Sequence, residues 1–500
     1  MLCCLHPLGL PMPQNGRLST LVCFRLVIAG KFTGGFQSIF AVKKAPDSGL
    51  LSANPQVVWY SEGSLGSFAT RENAMPLIVC KFGGTSVASP ERIQMVAKRL
   101  IARKQAGNRV VAVVSAMGKT TDELVGLAAA LNENPPAREM DRLLSTGEQV
   151  SMTLLAMAIE ARGYKAMSFT GRQAGIETDG THAKARIVKV HNERIMEALE
   201  AGVIPVVAGF QGIDENGDIT TLGRGGSDTT AVAVAWGINA DVCEIYSDVD
   251  GVYTSDPRVC PRAKKLDAIS YDDMLELSSC GAGVLQMRAV EFARKYQVVI
   301  HSRSAFSDAE GTYIKEETDM MEEAVITGIA HDTSEVKFTI RGVPDMTGVA
   351  AKVFSALAGN AVSVDMIIQN ISEAGITDIS FTCPGADLAR AKETIERILP
   401  DISARDYDVD EDIAKVSLVG TGMKSSPGVA ARAFSTLGEN QINILAISTS
   451  PIRLSVVVDG AQAAAAVRCL HKAFDLDSDS VFEETQLSAE EIAAKMNKGR

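Results

Sequence analysis

The sequence predicts an α/β protein, in which a mostly parallel β-sheet lies between layers of helices and two smaller βαββαβ units follow. Between residues 75 and 310, short apolar strands alternate with helical segments, and this alternation is typical of parallel sheets with helices on both faces. Beyond residue 325 one pattern occurs twice, since the tetrapeptide Gly-Val-Ala-Ala at 348–351 returns at 428–431. Phe354, Leu357 and Asn360 recur at the same offset, which indicates two copies of one structural unit.

The composition of the 500 residues excludes several classes of protein. The net charge is −12, whereas nucleic-acid-binding proteins usually present a basic surface, so we expect no nucleic-acid partner. No apolar run approaches the roughly 18 residues that a membrane-spanning helix needs, so we expect no membrane association. The nine cysteines include no Cys-x-x-Cys pair, which indicates neither a disulfide framework nor a zinc site and favours the cytoplasm.

The chain divides into six predicted segments. Residues 1–46 hold basic but no acidic side chains, and we predict that residues 1–74 are a leader outside the folded core. A transit peptide and a folded extension are the alternatives for this stretch. The remaining boundaries are predicted as a catalytic domain at 75–310, a linker at 311–324, the two repeated units at 325–410 and 411–480, and a C-terminal tail at 481–500.

The first motif is a glycine turn that follows the opening strand, Leu77 to Phe82. The sequence Lys-Phe-Gly-Gly-Thr-Ser at 81–86 leads from this strand into a predicted helix, Pro90 to Lys104. A strand, a glycine turn and a helix form a phosphate cradle in outline, because free backbone N–H groups can surround an anion. The motif lacks the Gly-Lys-Ser/Thr ending of a Walker A loop. Lys81 precedes the glycines, where it could act as a point charge on a transferred phosphoryl group.

A second glycine turn surrounds Arg224, between a predicted strand and an apolar helix. Residues 222–228 read Leu-Gly-Arg-Gly-Gly-Ser-Asp, and Ser227 and Asp228 stand where a helix N-cap is expected. Basic, acidic and hydroxyl side chains around a glycine turn suit phosphoryl chemistry. An ordinary strand–helix turn with a capping aspartate is the alternative.

Two further segments complete the predicted site. The sequence Leu-Leu-Ser-Thr-Gly-Glu at 143–148 is predicted to open a long helix, whose first turn would favour Glu148 either as a ligand or as a plain cap. Residues 247–258 follow another strand and suit either a nucleotide or a plain surface loop. None of the four motifs contains histidine, which disfavours a His-activated nucleophile. A carboxylate acceptor needs no such base, because it is already ionised at neutral pH.

In this order, the four motifs resemble those of the aspartate kinases, which have the amino-acid-kinase fold. The resemblance covers residues 75 to about 480 and is greatest to the bacterial, feedback-inhibited form with two C-terminal ACT domains. It implies transfer of the γ-phosphoryl group of ATP, with Mg²⁺, to the β-carboxylate of L-aspartate, the first step of lysine, threonine and methionine biosynthesis. A kinase for another amino acid such as glutamate, and a regulatory amino-acid-binding subunit with weakened catalysis, are the alternatives.

The resemblance also implies a role for each motif residue. Lys81 would stabilise the transferred group, and Asp228 would hold Lys81 and the loop in place. Arg224 would pair with the α-carboxylate of the substrate, and Glu148 would take its α-ammonium group. The implied substrate site comprises Thr121, Glu148, Arg224, Gly225, Gly226 and Ser227. The implied ATP site comprises Lys81, Phe82, Gly83, Gly84, Thr85, Ser115, Ser247, Asp248, Tyr253, Asp256 and Arg258. No dedicated metal ligand is expected, because Mg²⁺ would bridge the ATP phosphates.

One position departs from the family pattern. The family usually has a phosphate-contacting lysine in a Gly-Ala-Lys-Val-Leu segment, whereas residues 281–285 read Gly-Ala-Gly-Val-Leu, with Gly283 in its place. We expect either that Arg288 substitutes for this lysine or that nucleotide affinity is weak.

The repeated half reads as two ferredoxin-like units, and the resemblance identifies them as ACT domains that bind threonine, lysine or both. A purely structural or dimerising module is the alternative. The implied effector residues are Asp345, Thr347, Gly348, Ala350, Ser363, Asp365 and Gln369 in the first copy and Val429, Ala430, Asn443, Ile444, Thr449 and Ser450 in the second. The resemblance further implies a homo-oligomer through the ACT domains. A shorter chain that starts at Met320 or Met321 is a further hypothesis for a partner.

Overall fold

The computed structural model describes residues 75–316, 325–369 and 375–478, apart from the side chains of residues 424 and 425, together with three strands nearer the N terminus. The chain forms two compact units, Met1–Met75 and Pro76–Arg500. In the first unit, β1 (Leu5–Pro7), β2 (Leu21–Leu26) and β3 (Ile39–Lys44) pair antiparallel in that order. That residues 1–74 lie outside the catalytic core stays a prediction.

The second unit begins with the elements of the catalytic half. Its strands are β4 (Leu77–Phe82), β5 (Arg109–Val114), β6 (Ala166–Phe169), β7 (Ile176–Thr178), β8 (Ile187–Val190), β9 (Ile204–Ala208), β10 (Gln211–Ile213), β11 (Ile219–Thr221), β12 (Val242–Ser247), β13 (Ala268–Ser270), β14 (Ile300–Ser304) and β15 (Thr312–Lys315). Its helices are α1 (Pro90–Gln105), α2 (Thr120–Leu131), α3 (Ala137–Glu160), α4 (Glu193–Glu200), α5 (Gly226–Gly237), α6 (Tyr271–Ser279) and α7 (Met287–Tyr296).

Eight of these strands form one sheet in the order β13-β15-β14-β12-β4-β5-β9-β6. Six strands are parallel to one another. Strand β15 is antiparallel to β14, and β13 is parallel to β15. The predicted mostly parallel sheet is therefore confirmed. The strand β15 lies inside the range predicted as a linker, so the catalytic sheet extends further along the chain than the sequence indicated.

Alternate side chains of the central strand β4 enter two separate cores. Leu77 and Val79 pack in a cluster with α5 and α7, and Ile78 and Cys80 pack in another with α1 and α3. Because successive strand residues point to opposite faces, Lys81 lies on the α5 side. Helix α5 is buried over Gly226–Ala235, which explains its apolar character on every side.

A second, four-stranded sheet, ordered β11-β10-β7-β8, was not anticipated from the sequence. Its edge strand β11 ends at Thr221, directly before the turn that contains Arg224. Helix α3 also differs from expectation, because it begins at Ala137 and Glu148 therefore lies in its middle rather than in its first turn. The helix-dipole argument for Glu148 is accordingly wrong.

The regulatory half consists of β16 (Gly328–Asp332), β17 (Glu335–Pro344), α8 (Val349–Gly359), β18 (Ile367–Gln369), β19 (Ile376–Pro384), α9 (Leu388–Ile398), β20 (Asp406–Asp410), β21 (Ile413–Val419), α10 (Val429–Glu439), β22 (Ala446–Ser450), β23 (Arg453–Asp459) and α11 (Ala463–Ala473). One antiparallel sheet has the order β18-β19-β17-β20 and the other has the order β16-β21-β23-β22. Both sheets carry two helices, which confirms the two ACT-type units.

The second ACT unit is not contiguous in the chain, in contrast to the predicted boundaries. Its fourth strand is β16, which precedes the whole first ACT unit in the chain and pairs with β21 from Gly328↔Val419 to Asp332↔Lys415. The position that β20 fills in the first sheet is thus filled in the second sheet by a strand from upstream. The predicted internal start at Met320 or Met321 lies outside the described residues.

Candidate active site

The candidate site lies where the central strands β4, β5 and β12 end. These three strands are neighbours and parallel, so the segments that follow them emerge at one edge of the sheet. The chain crosses from β4 to β5 on one side and β12 lies on the other, which makes this edge the topological switch point where open α/β sheets bind ligands.

Lys81 and Asp228 meet at this edge. The Lys81 Nζ atom lies 2.5 Å from Asp228 Oδ1, and the two side chains are only 11% and 9% exposed. A strand residue and a residue in the first turn of α5 are thereby joined by a largely buried ion pair. Removal of either partner would leave the other charge buried and unpaired, which is costly.

The predicted phosphate cradle is a tight backbone turn. Gly84–Val87 forms a 3₁₀-helix, and Ser115 N donates to Phe82 O at 3.1 Å, which ties this turn to the segment after β5. A Cβ atom on Gly84 would lie 2.9 Å from the carbonyl oxygen of Ala116, so the close approach requires glycine. Thr85 is exposed, and a Cβ atom on Gly83 would lie 3.5 Å from Lys81 Nζ.

The Arg224 turn runs from β11 into α5. Gly225 has a left-handed backbone (φ 67°), and a Cβ atom there would collide with the side chain of Gln286. No side chain caps α5 within the described structure, but Gly226 N donates to Gly223 O at 2.9 Å and Asp228 N donates to Gly225 O at 3.1 Å. Of the first three N–H groups of this helix, that of Ser227 has no backbone acceptor in the described residues and is available to an anion. Gly226 and Ser227 are buried, whereas Arg224 is exposed.

Two networks hold this turn. Thr221 Oγ1 donates to the buried carboxylate of Asp141, which also accepts from the backbone N–H of Ala183. The guanidinium of Arg288 donates to the carbonyl oxygens of Leu222 and Ala185, both at 2.6 Å. Neither role is apparent from the sequence. The expectation that Arg288 replaces the absent lysine at position 283 is wrong, because its guanidinium is committed to these two carbonyls.

Glu148 offers a buried and half-satisfied carboxylate. Its Oε1 atom accepts from Ala116 N at 3.1 Å, while Oε2 has no hydrogen-bond partner in the described structure. The residue is 4% exposed, and burial raises its pKa to about 7 although the hydrogen bond from Ala116 opposes this rise. Thr121, in the first turn of α2, is half-buried, and α2 approaches α3 through Thr120 and Gly147.

The predicted nucleotide residues after β12 fall into two groups. Ser247 and Asp248 lie at the carboxyl end of β12, beside the cradle. Tyr253 instead packs against the core of the second ACT unit, and Arg258 forms an ion pair with Asp256 at 2.8 Å. Whether this second group contacts a nucleotide stays a prediction.

The segment 253–263 also joins the catalytic half to the regulatory half. Thr254 Oγ1 lies 2.8 Å from Nε2 of the fully buried His471, whose Nδ1 lies 2.8 Å from Asp477. Cys260, His471 and Asp477 are the one group of three metal-ligand types that the described residues bring together. Both ring nitrogens of His471 already have hydrogen-bond partners, so we assign no metal to this group.

The predicted effector residues lie at corresponding places in the two ACT units. Gly348 and Gly428, both with left-handed φ values, precede α8 and α10, so the loops before these helices match. Ala350 lies in the first turn of α8, shortly after Asp345 and Thr347 in the chain. Val429 and Ala430 lie in the first turn of α10. The edge strand β18 ends at Gln369, and Ser363 lies shortly before this strand. The corresponding edge strand β22 contains Thr449 and Ser450, and Asn443 and Ile444 lie just before it.

Asp365 has a different environment from the other predicted effector residues. Its carboxylate pairs at 2.5 Å with Lys415 of the second unit, a buried lysine that also contacts Glu335. In this structure Asp365 therefore links the two ACT units, and effector binding by the thirteen residues as a set stays a prediction.

Comparison with known proteins defines the class of protein first. Residues 76–302 match the model of the amino acid kinase family, and residues 339–399 and 416–474 match that of the ACT domain. The chain is thus an amino-acid kinase with a C-terminal ACT pair.

More similar proteins define the particular family. The chain is 52% identical over 410 residues to an aspartokinase of Mycolicibacterium smegmatis, a match that covers 81% of this chain and 97% of the relative. E. coli aspartokinase III in complex with aspartate and ADP is 25% identical with a TM-score of 0.67, over 79% of this chain and 99% of that one. The same enzyme in complex with lysine and aspartate gives a TM-score of 0.64 and 26% identity, over 80% and 99% of the two chains. The chain belongs to the aspartokinase family.

Proposed function

We propose that this aspartate kinase binds L-aspartate between the Arg224 turn and Glu148, and that the β-carboxylate of the bound aspartate receives the phosphoryl group beside Lys81. The observation that carries the proposal is the buried contact between Lys81 and Asp228, which joins the cradle after β4 to the N terminus of α5. Transfer of a phosphoryl group to an ionised carboxylate requires positioning and charge neutralisation rather than a general base.

Each group then has a chemical task. The Arg224 guanidinium pairs with the α-carboxylate, for which its planar fork is suited, and Glu148 pairs with the α-ammonium group. Lys81 neutralises charge on the transferred group and is itself held by Asp228. The N–H groups of Ser227 in α5 and of Gly84 in the turn after β4, which have no backbone acceptor in the described residues, fit phosphate oxygens.

ATP and Mg²⁺ are the proposed nucleotide and metal. The glycine turn and Lys81 supply positive partners without a cluster of carboxylates, which fits a metal held mainly by phosphates. We further propose Ser115, Ser247 and Asp248, at the same sheet edge, as nucleotide contacts, with Tyr253, Asp256 and Arg258 as an outer set.

The same site chemistry leaves glutamate as a second acceptor, because it carries the same α-carboxylate and α-ammonium groups. A purely regulatory subunit is disfavoured, since Lys81 and Asp228 are both present and paired.

Regulation, assembly and location are further proposals. E. coli aspartokinase III was solved with lysine, and we propose lysine, threonine or both as effectors at the loops before α8 and α10. Exposed apolar residues on the edge strands, Ile367 on β18 and Ile447 on β22, favour a homo-oligomer through the ACT units.

None of the described helices is long and apolar enough to cross a membrane. All six cysteines in the described residues are free, and we propose the cytoplasm as the compartment.

The decisive experiment measures ADP release with aspartate, with glutamate and without acceptor, and traps any acyl phosphate with hydroxylamine. We expect hydroxamate only with aspartate. Lys81→Met should abolish turnover, whereas Lys295→Met, which removes an exposed lysine on α7, should leave it unchanged. Hydroxamate from glutamate, or full activity of Lys81→Met, would contradict the proposal.

A further inference from the structure

The guanidinium of Arg288 occupies an unusual position near the substrate turn. It extends from the first turn of α7 to two backbone carbonyl oxygens, those of Leu222 and Ala185, at 2.6 Å each. Within the described residues no carboxylate lies close enough to form an ion pair with it. The side chain is half-buried, and burial together with the nearby Arg186 lowers its pKa.

These two carbonyls belong to segments that converge on Arg224. Leu222 stands two residues before Arg224, and Leu222 N donates to Phe210 O at 2.9 Å. Ala185 is joined to the end of β11, since its N–H donates to Thr221 O at 2.9 Å. Arg288 therefore holds the backbone directly before Arg224 against the neighbouring segment at Ala185.

The turn benefits from such support because two glycines flank Arg224. Gly223 and Gly225 both have positive φ values, and glycine loses more conformational freedom on ordering than any other residue. Arg224 itself is exposed. A turn with this composition holds its guanidinium in one place only if neighbouring groups hold the backbone.

The guanidinium geometry suits this task better than an ammonium would. Arginine presents several N–H donors in a rigid plane, so one side chain can bind two acceptors in fixed directions. Lysine at the same position would provide a single mobile donor group. Gln286, two residues earlier, packs against Gly225, so the whole segment before α7 braces the same turn.

We propose that Arg288 is a positioning residue for aspartate binding, which acts by fixing the backbone directly before Arg224 to the neighbouring segment at Ala185. This inference rests on the proposed function, because it assigns the α-carboxylate of the substrate to Arg224. It predicts a selective effect, since the phosphate cradle at Gly83 and Gly84 makes no contact with Arg288 among the hydrogen bonds of the described residues.

The test compares Arg288→Ala, Arg288→Lys and the wild-type protein, with KM determined separately for aspartate and for ATP. We expect Arg288→Ala to raise the KM for aspartate by about tenfold or more, because two charge-assisted hydrogen bonds are lost. The KM for ATP should change by less than about twofold. The KM for aspartate of Arg288→Lys should lie between those of the wild-type protein and Arg288→Ala. Millimolar guanidinium chloride should restore aspartate affinity in Arg288→Ala.

The matched control is Arg294→Ala on the same helix. Arg294 pairs with Asp272 and lies away from the turn, so its removal should leave both KM values unchanged. Equal changes in both KM values, or no change, or a failure of guanidinium to rescue a folded Arg288→Ala protein, would overturn the proposal. If Arg288→Ala does not fold, the KM ratio of Arg288→Lys decides.

The two hypotheses fail in different ways. If the wild-type protein releases ADP with glutamate instead of aspartate, the proposed substrate is wrong. The role of Arg288 is then tested by comparing the KM for glutamate between the wild-type protein and the Arg288 variants. If the wild-type protein phosphorylates aspartate but Arg288 variants keep its affinity, only the role of Arg288 is wrong.

Discussion

Glu148 is a single residue whose buried environment suits a cationic ligand. A buried carboxylate with one unpartnered oxygen is unfavourable, and burial raises its pKa to about 7. Between the ordinary glutamate pKa and this value, the folded chain holds a proton that the unfolded chain releases. The ligand-free protein therefore loses stability as the pH rises through this window, and a bound ammonium group would reverse the loss.

A pH dependence of substrate affinity follows from this environment. Below pH 7 Glu148 is mostly protonated and cannot pair with the α-ammonium group, so the KM for aspartate should fall as the pH rises from about 6 to 8. In Glu148→Gln this dependence should disappear, with affinity weakened on the order of tenfold at pH 8. Kinetics at several pH values measure both effects. The same slope in the variant would assign the titration to another group.

Gly283 gives a second prediction at the residue scale. It is exposed, its backbone is not left-handed, and a Cβ atom there would meet no atom within 4 Å, so a lysine can be accommodated. Because Arg288 is engaged elsewhere, no substitute for the family's lysine comes from that residue. Gly283→Lys should therefore tighten ATP binding or raise kcat, as ATP titrations would measure. Gly283→Ala is the control, and an unchanged Gly283→Lys protein would show that another group fills the role.

The residues that sequence patterns identified differ in kind from those they missed. Lys81, Arg224 and Asp228 stand in glycine turns between a strand and a helix, where a local pattern indicates a binding turn. Arg288 and Asp141 act on backbone and side-chain groups 42 to 103 residues away in the chain, so their neighbours in the sequence carry no signal. Their roles depend on tertiary contacts that no spacing rule encodes.

At the scale of elements, helix α6 connects the catalytic half to the regulatory half. Asp273 accepts from Thr327 Oγ1 and Thr421 N, and Glu276 lies 3.2 Å from Arg453 on β23. The helix then leads through Gly281, packed against β16, to the segment that braces the Arg224 turn. Such a continuous set of packed elements is the physical condition for coupling between an effector site and a substrate site.

The Glu276–Arg453 pair allows this coupling to be measured. Arg453→Met should raise the lysine or threonine concentration needed for half-inhibition by about fivefold or more, while kcat without effector stays the same. Arg432→Met is the matched control, because Arg432 pairs with the exposed Asp475 within the same ACT unit. Inhibition curves with each amino acid alone and with both together provide the measurement. Identical curves for the two variants would argue against a role of α6.

The element order was predictable where strands and helices alternate, and unpredictable where a strand leaves its own repeat. The βαββα pattern of each ACT copy follows from local periodicity, and its Gly-Val-Ala-Ala tetrapeptides do begin equivalent helices. Strand β16 carries no mark of the sheet that it joins, since its pairing with β21 spans the whole first copy. The short strands β7, β8, β10 and β11 were missed because three or four residues are too few to show a period.

At the scale of the whole molecule, the division at Met75 leads to the final prediction. The amino acid kinase match begins at residue 76, and β4 begins at Leu77, whose N–H donates to Asp241 at 2.7 Å. Met75 itself is exposed, whereas Leu77 is 2% exposed within the central strand. A chain that starts at Met75 should therefore retain kcat, both KM values and the thermal unfolding midpoint within experimental error. A chain that starts at Val79 loses Leu77 and Ile78 from the two cores, and should unfold at a temperature lower by several degrees or fail to fold. Loss of activity in the chain that starts at Met75 would instead assign residues 1–74 to the functional enzyme.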